Sequence, residues 1–365
     1  MVELVIVGEA FGEKEEQFAH PFVGPSGQEL YQMLVDAGFP LEPISSRFVA
    51  PIILRNLWKK SGIPLLNVFM CRPPDPNNKN RVAFFFDKKD RDVDLTIPPY
   101  GSGQYVKTEY VHHIHNLHAK LEELKPNLIL ALGNTAMWAI LKMTRISKAR
   151  GSIHISPFGK VLPCYHPAAI LRQWEFRVVT VADLMKARLE MRSPEFNPTP
   201  RKIWIEPDLA DLDRFWEEHL SRSDLITIDI ETERQQTISE VGFAANQFVA
   251  IHIPFLVGEK NRRTNRFITC RSYWKTETEE LRAWSWVRKV LTSPIPKLFQ
   301  NGYGYDAYWF ARKMGLYVRK LEHDTMLLHH ALYPELPKNL GFLGSIYTNE
   351  QAWKHLRREG NKIDE

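Results

Sequence analysis

Chemistry is first legible in this chain where two carboxylates sit two residues apart on an apolar strand: Asp229 and Glu231, within LITIDIETERQQTISEVGF at 225–243. Side chains alternate along a strand, so the pair shares one face. Two acids pointed inward together repel each other unless a cation neutralises them. The flanking Leu225, Ile226, Ile228 and Ile230, with Val241, Gly242 and Phe243, predict two buried strands around a short polar turn. On the triplet alone, a pair of solvated edge-strand acids is an equal alternative. Downstream, LFQNGYGYDAYWF (298–310) sets Asn301 and Asp306 where an extended segment from Ile295 to Phe299 passes into an aromatic helix. His323 and Asp324 then open a further helix, for which Asp324 is the expected N-cap.

In this order and spacing the three blocks resemble the 3'-5' proofreading exonuclease domain attached to family A DNA polymerases, especially those of phages. The resemblance implies an α/β ribonuclease-H-like fold with a mixed sheet, whose carboxylates hold two divalent metals, Mg2+ or Mn2+. Carried over by position, Asp229 and Glu231 fall on its first motif and Asp306 on its second, as catalytic groups and metal ligands, with Asn301 as a substrate contact. Its third motif, a Tyr, three residues and an Asp, is not found: Tyr347 and Tyr333 are followed four residues on by Gln351 and Pro337. In the resemblance that Asp would complete the metal site and the Tyr would orient the attacking water. The polar ending NKIDE (361–365) reads as part of a longer polymerase. Weak metal binding and poor degradation of single-stranded DNA are expected.

The first half carries another set of motifs. LVIVGEAFGEKEEQFAHPFVGPSGQEL (4–30) runs from a strand through a glycine-bracketed turn and an acidic cluster into PFVGPSG before a helix. Gly8 and Gly12 permit close backbone approach and suit a ligand at a strand's carboxyl end. They are four apart and followed by acids, which is not a dinucleotide fingerprint. LLNVFMCRPP (65–74), LILALGNTAMWAIL (128–141) and LPCYHPAAILR (162–172) follow. Together these blocks resemble the family 4 uracil-DNA glycosylases over most of residues 1–192.

That resemblance implies an α/β/α sandwich with a parallel sheet, which flips a uridine out of DNA and hydrolyses its N-glycosidic bond. Phe22 would stack on the base. The Asn67 amide, donor and acceptor at once, would pair with the uracil edge. His166 would donate to uracil O2 as charge develops. Glu9 and Glu15 would position water and close the pocket near C5, while Leu171 and Arg172 would wedge the duplex and hold phosphate. Taken singly, Phe22 and Asn67 are more often core and turn residues, His166 before Pro167 a packing histidine, and Glu13, Glu15 and Glu16 a solvated turn. Three features depart from the family: Phe11 stands where it has Pro, an insertion fills 74–108, and of four cluster cysteines only Cys71 remains, with His112 or His113 near where another would fall. No iron-sulfur cluster is expected. If the unit does not turn over, it would be an idle module that senses uracil or clamps DNA.

Composition fits this organisation. A chain of 365 residues, 44% hydrophobic and 25% charged, exceeds one ordinary core and predicts two or more domains. No apolar run approaches the roughly 18–20 residues of a membrane span, and Met1-Val2-Glu3-Leu4 opens a strand without a signal peptide, so a cytoplasmic protein is expected. Cys71, Cys164 and Cys270, odd in number and far apart, fit a reducing compartment. Residues 142–192 hold ten Lys/Arg against three Asp/Glu, whereas 1–42 hold eight acids and one Lys. Such a basic segment is commonly a solvated helix face, and it also suits a DNA backbone. The His tract HHIHNLH (112–118) predicts a polar helix face. Pro194, Pro198 and Pro200 mark a linker at 193–200, between a unit at 1–192 and a second at 201–365. A monomer acting on DNA is the expectation.

Overall fold

The computed structural model describes residues 2–44, 48–73, 84–87, 97–100, 103–233, 236–259, 267–348 and 350. Most of the 74–108 insertion and the 361–365 ending lie outside the described residues. The chain divides into two compact units, one spanning Met1–Pro198 and resumed from Gly341, the other running from Thr199 to Leu340.

The first unit contains β1 (Leu4–Ala10), α1 (Glu13–Phe18), α2 (Pro25–Asp36), α3 (Pro51–Ser61), β2 (Leu65–Phe69), β3 (Phe85–Asp87), β4 (Gln104–Val106) and α4 (Thr108–Leu124). It continues through β5 (Leu128–Leu132), α5 (Gly133–Leu141), α6 (Ile146–Ala149), β6 (His154–Ser156), β7 (Gly159–Cys164), α7 (Pro167–Ile170) and α8 (Phe176–Glu190). The main sheet has the order β2-β1-β5-β7-β6. Alternate residues of its strands enter two cores: Leu4, Ile6, Leu128 and Leu130 pack with α2, α3 and α8, while Val5, Val7, Ile129 and Ala131 pack with α4 and α5. Burial on both faces explains why β1 and β5 are near-continuous apolar runs. The sheet is parallel except at β6, which pairs antiparallel with β7. Only two residues separate β6 from β7, enough for a hairpin and too few for a parallel crossover.

Local signals place the helices. Gly24 then Pro25 opens α2, Pro51 opens α3, and Gly62 in the left-handed region at φ 68° closes α3. The acids of the expected solvated turn form α1, and Glu15 is buried. The polar histidine face of α4 needs correction. His118 is half-buried and donates Nε2–H to the Ala139 carbonyl at 2.9 Å, and His113 Nε2 lies 3.5 Å from Cys71 Sγ. Steps of three residues fall about 60° short of a full helical turn, so the third histidine of the series rotates toward the core.

The second unit contains β8 (Lys202–Trp204), α9 (Leu209–Glu218), β9 (Ile226–Glu233), β10 (Thr237–Ala244), β11 (Val249–Pro254), β12 (Leu256–Val257), β13 (Arg271–Ser272) and α10 (Glu277–Thr292). β14 (Lys297–Phe299), α11 (Asp306–Met314), β15 (Leu321–Asp324) and α12 (Thr325–Leu332) complete it. Its sheet, β15-β14-β9-β10-β11-β8, is mixed: β9, β10 and β11 run antiparallel, and the other pairings are parallel. Ile226, Ile228 and Ile230 of β9 enter the core with Phe243, Ile251, Val287 and Phe310. An Asp208–Asp211 capping box starts α9.

The last described helix, α13 (Leu340–Tyr347), groups with the first unit from Gly341 onward. Residues 341–348 therefore fall in the first unit, within the 201–365 span expected for the second. LGFLGSIY is apolar enough to join either core, and its Ser345 bonds into the first. Among the described residues no helix is long and apolar enough to cross a membrane.

Candidate base pocket and carboxylate face

The sequence-predicted groups of the first unit meet at the carboxyl ends of its parallel strands. Gly8 of β1 lies in register with Asn67 of β2. A Cβ on Gly8 would fall 2.4 Å from Asn67 Oδ1 and 2.5 Å from Phe22 Cζ, so glycine is what lets amide and ring meet over the strand. Phe22 has φ 56°, a left-handed backbone uncommon for an aromatic residue. Three contacts hold it there. Trp58 donates its indole N–H to the Phe22 carbonyl at 2.8 Å. Gly27 admits the same carbonyl, which a Cβ would meet at 1.9 Å. Glu15 accepts the Gly24 N–H at 2.8 Å and so fixes the turn between α1 and α2. Backbone strain of this kind persists where surrounding structure over-determines it, and such places concentrate at binding sites.

Asn67 is only 4% exposed, and its side-chain amide lies over Gly8 beside the Phe22 ring. His166 caps α7: the Ala168 N–H donates to Nδ1 at 3.2 Å, which leaves the proton of the neutral ring on Nε2. Its ring centroid is 6.4 Å from that of Phe22, with the planes 32° apart. Gly133 clears room beside it, since a Cβ there would sit 3.1 Å from His166 Cβ. Leu171 and Arg172 follow on the exposed end of α7, and Glu9, partly exposed, follows Gly8.

Sequence reasoning missed Trp58 and Gly27, the supports of Phe22. No spacing rule ties an indole to a carbonyl 36 residues away. Phe11 donates its N–H to the Cys71 carbonyl at 3.1 Å, a bond proline could not make. The cysteines do not suit a four-thiolate cluster: Cys71 follows β2, Cys164 is buried in β7 and Cys270 belongs to the second unit.

In the second unit the expected inward acidic pair instead faces away from the core. Asp229 is exposed and Glu231 partly so, because the alternation that buries the three isoleucines turns the acids outward. Across the ladder Asp229 lies opposite Gly242 and Glu231 opposite Glu240, whose Oε2 is 3.2 Å from His252 Nε2. Asp306, at the start of α11, is 3% exposed and accepts the Ile230 N–H at 3.0 Å. Burial first, then the Asp229 carboxylate, pushes its pKa up to about 7.

Asp324 takes the capping role expected of it. Its carboxylate accepts from Met326 and Leu327 of α12 at 2.9 and 3.3 Å, and from Asn301 and Gly302 at 3.0 and 2.8 Å. Asn301, at φ 63°, therefore stands in a turn tied to that cap. Asp229 and Asp306 interact electrostatically, but among the described residues no group of three or more His, Cys, Asp or Glu side chains is disposed to hold a metal ion. Among the described residues the set does not make a two-metal centre as it stands.

Phe22, Asn67 and His166, set against Gly8 and Gly133, meet at the carboxyl edge of a parallel sheet covered by helices on both faces, an α/β/α architecture. The model of the Uracil DNA glycosylase superfamily matches residues 1–187, just over half of the chain, and the chain belongs to that superfamily. The type-4 uracil-DNA glycosylase of Archaeoglobus fulgidus is 29% identical over 193 residues, covering 50% of this chain and 74% of that protein. The Thermotoga maritima enzyme of the same description is 29% identical over 191 residues, 51% of this chain and 76% of that protein. A DNA polymerase of Bacillus phage SP01 is 22% identical over 240 residues, 58% of this chain but only 24% of the polymerase. Among solved structures, the EXD2 exonuclease domain soaked in Mg and dGMP aligns at 14% identity and a TM-score of 0.25, over 45% of this chain and 86% of that one. A global similarity that low carries no functional weight.

Proposed function

We propose that the first unit receives a uracil extruded from DNA and hydrolyses its N-glycosidic bond, and that the second derives from the 3'-5' exonuclease of a phage-type DNA polymerase. The observation that carries the first part is the amide of Asn67, 4% exposed and set over Gly8 beside the Phe22 ring. A uracil edge offers one donor and one acceptor to that amide, whereas cytosine reverses the pattern. Phe22 gives the base a face to lie on. His166, whose Nδ1 is engaged by Ala168, presents Nε2–H to O2, where charge collects as the bond from C1' to the base breaks. Water held by Glu9 supplies the hydroxyl that takes the base's place on C1'. Leu171 and Arg172 would meet the duplex and its phosphates.

Phe11 favours a second reading. Its N–H bond to Cys71 sets the turn after Glu9 differently from a proline, which would suit uracil binding without turnover. One experiment separates the two: alkali cleavage of a uracil-containing oligonucleotide after incubation with the protein, with His166→Ala and Asn67→Ala alongside. Product from the parent alone supports hydrolysis. Tight uracil-dependent binding without product supports the sensor, and neither outcome would sink both.

For the second unit, the support is the order of Asp229, Glu231, Asn301 and Asp306 and the electrostatic coupling of Asp229 with Asp306. Weak divalent binding and poor degradation of single-stranded DNA are expected. Robust Mg-dependent nuclease activity would contradict that expectation.

A further inference from the structure

Arg150, Asp183 and Lys186 lie outside the base pocket, yet they are 1%, 1% and 8% exposed. Arg150 grips Asp183 with two N–H groups, Nε reaching Oδ2 at 2.8 Å and Nη2 reaching Oδ1. Lys186 Nζ donates to the Gly151 carbonyl. Two cations against one carboxylate leave an excess of buried positive charge that needs further acceptors. Helix α13 supplies them. Ser345 Oγ accepts from Arg150 Nη1 at 2.9 Å, and the Ser345 and Thr348 carbonyls accept from Lys186 at 2.9 and 2.7 Å. These carbonyls belong to the helix's end, where backbone acceptors lack intrahelical partners and carry the negative end of the dipole. Gly151, at φ 73°, makes the approach possible: a Cβ would fall 2.6 Å from Asp183 Oδ1 and 2.8 Å from the Ser345 carbonyl.

The Arg150 guanidinium also lies 5.6 Å from the Phe342 ring of α13 and 5.9 Å from the Tyr165 ring. Tyr165 stacks on Phe176 at 4.8 Å and immediately precedes His166. The contacts therefore run from α13 through Arg150 to Tyr165, whose backbone continues directly into His166.

We propose that Arg150 is a positioning residue for His166, set in place by Asp183 and α13, so that uracil recognition by the first unit depends on the chain segment that follows the second. Without α13, Arg150 loses its Ser345 acceptor and Phe342 neighbour, and Lys186 loses two of its three acceptors. The guanidinium then has freedom to move, and the loop carrying Tyr165 and His166 moves with it. A displacement near 1 Å at a recognition group costs up to about a hundredfold.

This inference rests on the uracil-binding reading, and its test keeps the two apart. The full chain and a Phe342→Ala/Ser345→Ala variant are titrated by fluorescence anisotropy with oligonucleotides carrying one uracil or one thymine. The folded state is monitored by circular dichroism, and the His166 ring nitrogens by NMR. The parent is expected to prefer uracil. The double variant is expected to lose about tenfold of that preference with unchanged affinity for the thymine strand, and to lose the Nε2–H tautomer signature. Arg150→Lys should retain more of the preference than Arg150→Met. If the double variant does not fold, Phe342→Leu, which keeps α13 apolar but removes the ring beside Arg150, is read in the same way. A parent without uracil preference removes the binding reading and this inference with it. A folded variant that keeps both preference and tautomer overturns the inference and leaves the reading standing.

Discussion

The candidate base site gathers its polar groups at strand ends, the carboxylate face gathers them along β9 and at the start of α11, and the two differ in how much of each group's position is fixed. In the pocket, Phe22 is pinned by Trp58, Gly27 and Glu15, His166 by its own helix, and Asn67 lies across a glycine that admits nothing larger. On the carboxylate face Asp229 is exposed, and only Asp306 is both buried and oriented by a backbone bond. Recognition of a neutral base needs directional hydrogen bonds held in a dry cleft. A cation site can assemble around mobile acids, and its geometry is then completed by the ion.

The largest contrast is expected from Gly8→Ala. The added methyl collides with Asn67 and Phe22, and uracil-dependent binding should fall by about a hundredfold in an anisotropy titration. Retained binding would show that the base does not sit over β1.

Next in size is the pH dependence of the second unit. The folded pKa of Asp306, about 7, stands above its ordinary 3.8. The native state thus holds a proton that the unfolded chain releases, and stability falls as pH rises from about 4 to about 7, then levels off. The loss is of order 4 kcal/mol. Hydrogen exchange of the β9 amides at pH 5 and pH 8 reads it, and Asp306→Asn should flatten the difference. A parent with equal protection at both values would refute the shifted carboxyl.

Trp58→Phe should cost about 1–2 kcal/mol in denaturant unfolding of the first unit, because the Phe22 carbonyl loses its buried donor. Weaker uracil binding should accompany it. On the second unit, Asp229→Ala should reduce the heat of Mn2+ binding in calorimetry, and an unchanged isotherm would mean the carboxylates do not bind the ion. The smallest effect belongs to Gly242→Ala. A Cβ there meets nothing closer than 3.8 Å, and stability should stay within about 0.5 kcal/mol of the parent. A Gly242 as intolerant as Gly8 would erase the distinction between a filled pocket and an open face.

Much of this was legible in the sequence. The apolar runs of β1 and β5, the isoleucine alternation of β9 and the cap at Asp324 follow from local rules, and the structure has them. Phe22, Asn67 and His166 were identifiable through motif order, and the structure brings them together. What local rules could not reach were contacts between distant segments. The Trp58 bond to Phe22, the antiparallel turn of β6 and the rotation of His118 into the core depend on what each element packs against. α13 is the clearest case: a short apolar helix carries no mark of the core it will join, and the buried charges that receive it are spread over 36 residues elsewhere in the chain.

The return of α13 also imposes an order on biosynthesis. Residues 1–198 leave the ribosome with the sites for Ser345 and Thr348 already present but vacant, and roughly 150 further residues must be translated before those acceptors exist. At about 5–20 residues per second the wait is roughly 8–30 s. Through that interval the nascent first unit carries Arg150 and Lys186 short of acceptors, and it is finished only after the second unit has been synthesised.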